Sequence, residues 1–129
     1  MKKLEKKVFK HLKDRGWDKL RPADLAKSIM IEGAELLELF QWWNQSLDEV
    51  KRDKKKIEGI KKELADVFLY AIEMSVLLGF NTEKIIRTKL AAAQKKYPAR
   101  LMRKINHTAD PGTANEYWKI KEAYRKKNK

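Results

Sequence analysis

Four carboxylates stand where a helical chain should place hydrocarbon: Glu32 and Glu35, then Glu63 and Asp66. Each pair has i,i+3 spacing, so both acids of a pair project from one side of a helix. Glu32 interrupts the stripe Leu25, Ile29, Leu36, Phe40 and Trp43. Asp66 stands in the apolar run Leu64 to Leu78, whose other clearly polar members are Glu73 and Ser75. An ionised carboxylate is costly to bury alone, so buried acids are normally paired with a cation or bound to a metal. Carboxylate oxygens are hard ligands suited to Mg²⁺ or Mn²⁺. Mg²⁺ takes few protein carboxylates and completes its shell with water and phosphate oxygens. Two helices side by side would bring both pairs to one such site. Salt bridges to Lys or Arg are the competing reading. The two histidines, His11 and His107, do not sit near the pairs in the pattern, which argues against a Glu-x-x-His di-iron site. Glu38 lies six residues after Glu32, about 120° round the helix, as a further ligand, a base or an exposed acid.

These acids need helices to hold them, and the chain reads as all-α. Glycine is sparse, prolines number three, and no segment sustains period-two alternation. A first helix runs from Lys2 to about Asp14 with the stripe Leu4, Val8, Phe9 and Leu12, stopped by Gly16. Trp17 to Pro22 forms a loop. Asp24 is the expected N-cap of a second helix reaching about Gln45. Ser46 and Glu49 make a capping-box pattern, starting a third helix near Leu47 that ends at Gly79. Gly59 is the expected break in it, with residues 47 to 56 as a separate charged piece. Asn81 or Thr82 caps a fourth helix, which ends by Tyr97 because Pro98 restricts the residue before it. Residues 98 to 112 read as a loop with a turn at Asp110-Pro-Gly. Thr113 and Glu116 form a second capping-box pattern, opening a last helix from Ala114 to about Lys127 with Tyr117, Trp118, Ile120 and Tyr124.

At 129 residues a single domain, 1–129, is expected. The absence of cysteine excludes disulfides, zinc thiolates and a thiol nucleophile. No signal-peptide or membrane-spanning pattern is visible, so a cytoplasmic protein without a membrane partner is expected. The net charge is +13, and from Lys84 onward fourteen Lys or Arg face three acids. Such an excess serves a solvated face, an anionic substrate or a nucleic acid.

The run Glu32-Gly-Ala-Glu35-Leu-Leu-Glu38-Leu-Phe-Gln-Trp42, followed by Lys62-Glu63-Leu-Ala-Asp66-Val, resembles the MazG-like nucleotide pyrophosphohydrolases, in their dCTP-pyrophosphatase-like branch. Trp17, Asp24-Leu-Ala-Lys-Ser28 and Lys96-Tyr97-Pro98 fall in order around it, so the resemblance covers about residues 15–98. Residues 99–129 form a basic extension beyond it.

The resemblance implies a four-helix-bundle-like, all-α NTP pyrophosphatase fold with an extra C-terminal helix, assembled as a homodimer or a dimer of dimers. It implies hydrolysis of a nucleoside triphosphate, a pyrimidine deoxynucleotide such as dCTP, to the monophosphate and pyrophosphate. Glu32, Glu35, Glu63 and Asp66 would hold Mg²⁺, with Mn²⁺ as a substitute, and Glu38 is the candidate base. Trp17 and Trp42 would stack on the base, with Arg21 nearby. Lys89, Lys96 and Tyr97 would contact the triphosphate. Two positions depart from the branch. Its histidine after the tryptophan is missing, with Arg21 nearby, and Ala93 fills the slot of an asparagine. Both fall on base or phosphate recognition rather than on the metal ligands. The rival reading is a non-enzymatic nucleic-acid- or nucleotide-binding protein using the basic tail with Tyr117, Trp118 and Tyr124.

Overall fold

The computed structural model describes residues 1–103 and 111–129, without the side chains of residues 111–116. Every regular element among them is helical: α1 Lys2–Asp14, α2 Pro22–Glu38, α3 Leu47–Arg52, α4 Lys54–Leu77, α5 Thr82–Lys96, α6 Ala99–Met102 and α7 Pro111–Lys127. The all-α expectation holds. No described helix is long and apolar enough to cross a membrane. The chain divides into two units, Met1–Glu83 and Lys84–Lys129.

In the first unit α4 is the central element. Both α2 and α1 pack along it, and α3 packs against it. Val8 and Leu12 of α1 join Ile72 of α4 in a small core that Val76 and Leu77 extend. Leu4 and Phe9, expected in the same stripe, are exposed. Gly16 ends α1 as expected. Its φ of 68° is left-handed, which glycine adopts without the Cβ penalty. That turn lets the Trp17 N–H donate to the Leu12 carbonyl at 2.9 Å.

Several boundaries differ from the sequence reading. Helix α2 begins at Pro22 with Arg21 at the N-cap, and Asp24 sits in its first turn. Proline at the first helical position is preorganised for this start. Asp24 instead accepts from Arg21 Nε at 3.1 Å. The helix stops at Glu38, short of Gln45. Phe40 and Trp43 turn out to flank the Lys56 ammonium, 5.1 and 4.9 Å from their ring centroids, a contact a continued helix would not supply. The capping box at Ser46 and Glu49 forms as expected. The break in the next helix falls at Asp53 rather than Gly59. Asp53 is extended and caps α4, its carboxylate accepting from the Lys56 N–H at 3.0 Å. Gly59 stays helical because a single glycine costs only about 1 kcal/mol, and it faces Leu39.

Helix α5 starts at Thr82 and ends at Lys96, matching the expected limits. Its N-terminus is tied to α1: the Thr82 N–H donates to Glu5 Oε1 at 2.8 Å, and the Thr82 and Ser75 hydroxyls are 2.7 Å apart. Hydrogen bonds from the Thr82 side chain and backbone hold the Glu5 carboxyl below its ordinary value of 4.5. A lowered carboxylate pKa adds stability above the unfolded value, and that stability disappears as pH falls through the folded value. Glu5→Gln is therefore expected to lower the melting temperature by about 2–5 °C near neutral pH. The difference should vanish below the carboxylate range. An equal gap at neutral and acid pH, measured by thermal denaturation, would refute the charge-dependent cap.

In the second unit the stretch expected as a loop contains the one-turn helix α6. Helix α7 begins at Pro111 rather than Ala114. The Asp110 turn and His107 lie outside the described residues, as do the side chains of Thr113 and Glu116. Tyr97 and Tyr117 stack at 5.1 Å. Lys96 lies over the Tyr97 and Tyr124 rings, and Lys121 over those of Tyr117 and Trp118.

Candidate metal centre and cleft

Helices α2 and α4 run side by side, and this brings the two acid pairs together. Ligand oxygens of Glu32, Glu63 and Asp66 all lie within 4.8 Å of one another. Glu63 is buried and the other two are half-buried. One Glu63 oxygen, Oε1, accepts from Lys62 Nζ at 2.8 Å. The other, Oε2, is buried without a hydrogen-bond partner among the described residues. A buried acceptor left unmatched costs about 1–3 kcal/mol, more when charged. The Lys62 side chain is largely exposed, so the salt-bridge reading accounts for only part of the cluster.

Glu35 adjoins this group. The Glu32 charge, then the adjoining Glu63 carboxylate, push its carboxyl above the ordinary carboxylate value. Glu63 goes the other way, held down by Lys62. Lys62 answers with a raised pKa, through Glu63 first and more weakly Asp66 and Glu35. Crowded acids that strain against shared ionisation, together with an orphaned buried oxygen, fit a site for a hard divalent cation.

Glu32 and Asp66 also line a cleft of about 450 Å³ between α1, α2 and α4. Trp17 stands at its side, its ring steeply inclined to that of His11 with centroids 6.0 Å apart. Leu25, Ser28 and Tyr70 contribute to the walls, and His11 and Glu73 lie at the end of α4 remote from Glu63. Burial pushes the Tyr70 phenol up, with Glu32, Glu73 and Asp66 adding to it.

The other candidate residues are distributed differently. Arg21 is exposed and engaged with Asp24. Glu38 is the exposed last residue of α2 and does not line the cleft. Trp42 is 76% exposed in a separate surface depression with Phe40 and Trp43. Lys89, Lys96 and Tyr97 belong to the second unit, on α5 and just after it. Sequence reasoning missed His11, Tyr70 and the place of Glu73. A signal existed for the last two: Tyr70 and Glu73 follow Asp66 at four and seven residues, one helical face.

Residues 27–109 match the MazG-like family, and the chain belongs to it. Within the family it is similar to dCTP pyrophosphatase 1 of Rattus norvegicus and of Mus musculus, each 25% identical over 92 residues. These alignments cover 70% of this chain and 54% of the relative, so the chain spans about half the length of the curated relatives it matches. It is also similar to the crystal structure of a pyrophosphatase from Archaeoglobus fulgidus DSM 4304, at 33% identity and TM-score 0.66. That match covers 76% of this chain and 92% of the other.

Proposed function

We propose that the chain is a metal-dependent nucleoside triphosphate pyrophosphohydrolase acting on a pyrimidine deoxynucleotide such as dCTP. The observation that carries this is the acid cluster: a buried, unpartnered Glu63 oxygen beside Glu32 and Asp66, at the edge of a cleft walled by Trp17. Membership of the MazG-like family and the similarity to pyrophosphatases support it.

Glu32, Glu63 and Asp66 would hold Mg²⁺, with Mn²⁺ as a substitute and Glu35 completing the acid set. The cation, when bound, supplies charge neutralisation on the phosphates and a more acidic water. Lys62 favours the ionised form of Glu63, the form that ligates. We place the acceptor of the water proton among these acids rather than at Glu38, whose position is off the cleft. Trp17 offers an indole face to the base, a contact every base accepts. In the second unit Lys96 stands beside Tyr97, a cation for the phosphates as the MazG-like resemblance implies.

Met30, Ile31 and Leu37 of α2 and Phe68 of α4 are exposed apolar residues on the helices that hold the acids. We propose that a second copy of the chain covers them, in a dimer or a dimer of dimers.

The test is a panel of dNTPs with Mg²⁺ and separated products. Pyrophosphate and dNMP are expected, with activity removed by EDTA and restored by excess Mg²⁺. Mg²⁺ alone should also raise the melting temperature, since a ligand of the folded state stabilises it. Orthophosphate and dNDP as products, or full activity in EDTA, would overturn the proposal.

A further inference from the structure

The hydrolase reading uses the acid end of the cleft and leaves the other end without a role. Glu73 lines that end. It stands seven residues beyond Asp66 on α4, two turns or about 10 Å along the helix. That separation is comparable to the one between a phosphate and the distal base edge of a nucleotide. Glu73 is 4% exposed. No hydrogen bond among the described residues reaches its carboxyl, although Ser75 and Thr82, the neighbouring buried polar residues, are paired. Its oxygens are not among the sealed, unpartnered atoms, so they open onto the cleft, where they meet the donors of a bound ligand.

Resting on the hydrolase reading, we infer that Glu73 reads the base, pairing with the ring nitrogen N3 and the adjacent amino group of cytosine. Cytosine offers an acceptor at N3 beside a donor at its amino group. A carboxyl matches both when one proton lies between it and N3, and both bonds survive whichever of the two holds that proton. Uracil carries its own hydrogen at N3 beside the O4 acceptor. It makes two bonds only with a protonated carboxyl, and an ionised one faces the O4 lone pairs. Burial pushes the Glu73 carboxyl above the ordinary carboxylate value, against a smaller opposite pull from His11. Trp17, on the same cleft, supplies the flat contact that a base edge alone does not.

The comparison of dCTP with dUTP tests this, because the two differ only at that edge. Wild-type protein is expected to favour dCTP by about tenfold or more in kcat/KM. Glu73→Leu should bring the two substrates within about threefold, through a higher KM for dCTP. Its melting temperature should hold or rise, because an unpartnered buried carboxyl is removed. Glu73→Gln, which keeps a donor and an acceptor without the shared proton, should retain dCTP and admit dUTP. A wild-type enzyme that hydrolyses dNTPs while Glu73→Leu and Glu73→Gln keep its dCTP to dUTP ratio overturns the assignment of Glu73 alone. A wild-type protein that hydrolyses no dNTP overturns the hydrolase reading, and this inference with it.

Discussion

Asp66→Asn is expected to lower pyrophosphate release by at least about a thousandfold, the equivalent of roughly 4 kcal/mol of lost transition-state stabilisation. The substitution keeps the size of the side chain and one carbonyl oxygen. It removes the charge that a hard cation requires. Asp66 is also where the two parts of the site meet: its oxygen belongs to the cluster with Glu32 and Glu63, and its side chain lines the cleft. Folding should not suffer. Three carboxylates within 4.8 Å repel one another without a cation, so removing one relieves the metal-free protein. The expected variant is thus inactive, fully helical, and at least as stable as wild type in EDTA. Mg²⁺ should then raise its melting temperature less than it raises that of wild type. Glu35→Gln should likewise abolish turnover. An Asp66→Asn protein with a tenth of wild-type activity would show that the cluster is not the metal centre.

The largest effect on stability is expected at Leu12. It is fully buried, at 0% exposure, and with Val8 and Ile72 it forms the core between α1 and α4. Truncating such a leucine costs about 2–5 kcal/mol, the lost transfer energy plus the cavity left behind. The described core contains few other buried apolar residues, so little can collapse into that cavity. Leu12→Ala is expected to lower the melting temperature by about 10 °C or more. If a second copy covers the exposed residues of α2 and α4, the melting temperature of both proteins should rise with protein concentration. A loss of only a degree or two would mean that α1 adds little to the fold. A melting temperature independent of concentration would remove the case for a self-association linked to folding.

The acids of this site were legible in the sequence for an energetic reason. Glu32 and Asp66 sit in apolar helical runs, where a carboxylate without a partner is too costly to keep. Their i,i+3 companions then pointed to one site on two neighbouring helices. The ends of α1 and α5 were legible too, because Gly16 and Pro98 act locally on the backbone. What was not legible depended on distant parts of the chain. The end of α2 is set in part by Lys56, reached by Phe40 and Trp43 only after the chain turns back. The start of α4 depends on an Asp53 cap that competes with a seemingly obvious glycine. His11 looked unrelated to the acids because 21 residues separate it from Glu32 in sequence. Packing of α1 on α4 brings it to the same cleft. Glu38 was singled out by spacing alone; α2 ends at that residue, which is exposed and does not line the cleft.

The bond from Thr82 to Glu5 has a kinetic consequence. It joins residues 77 positions apart, so nearly the whole first unit must be in place before it can close. Closing so long a loop costs entropy before the contact gives anything back. Such a contact belongs to the late side of the folding barrier, where the loss of an interaction speeds unfolding and barely slows folding. Glu5 would then act as a latch on the finished domain, governing how long the native state lasts rather than how quickly it is reached.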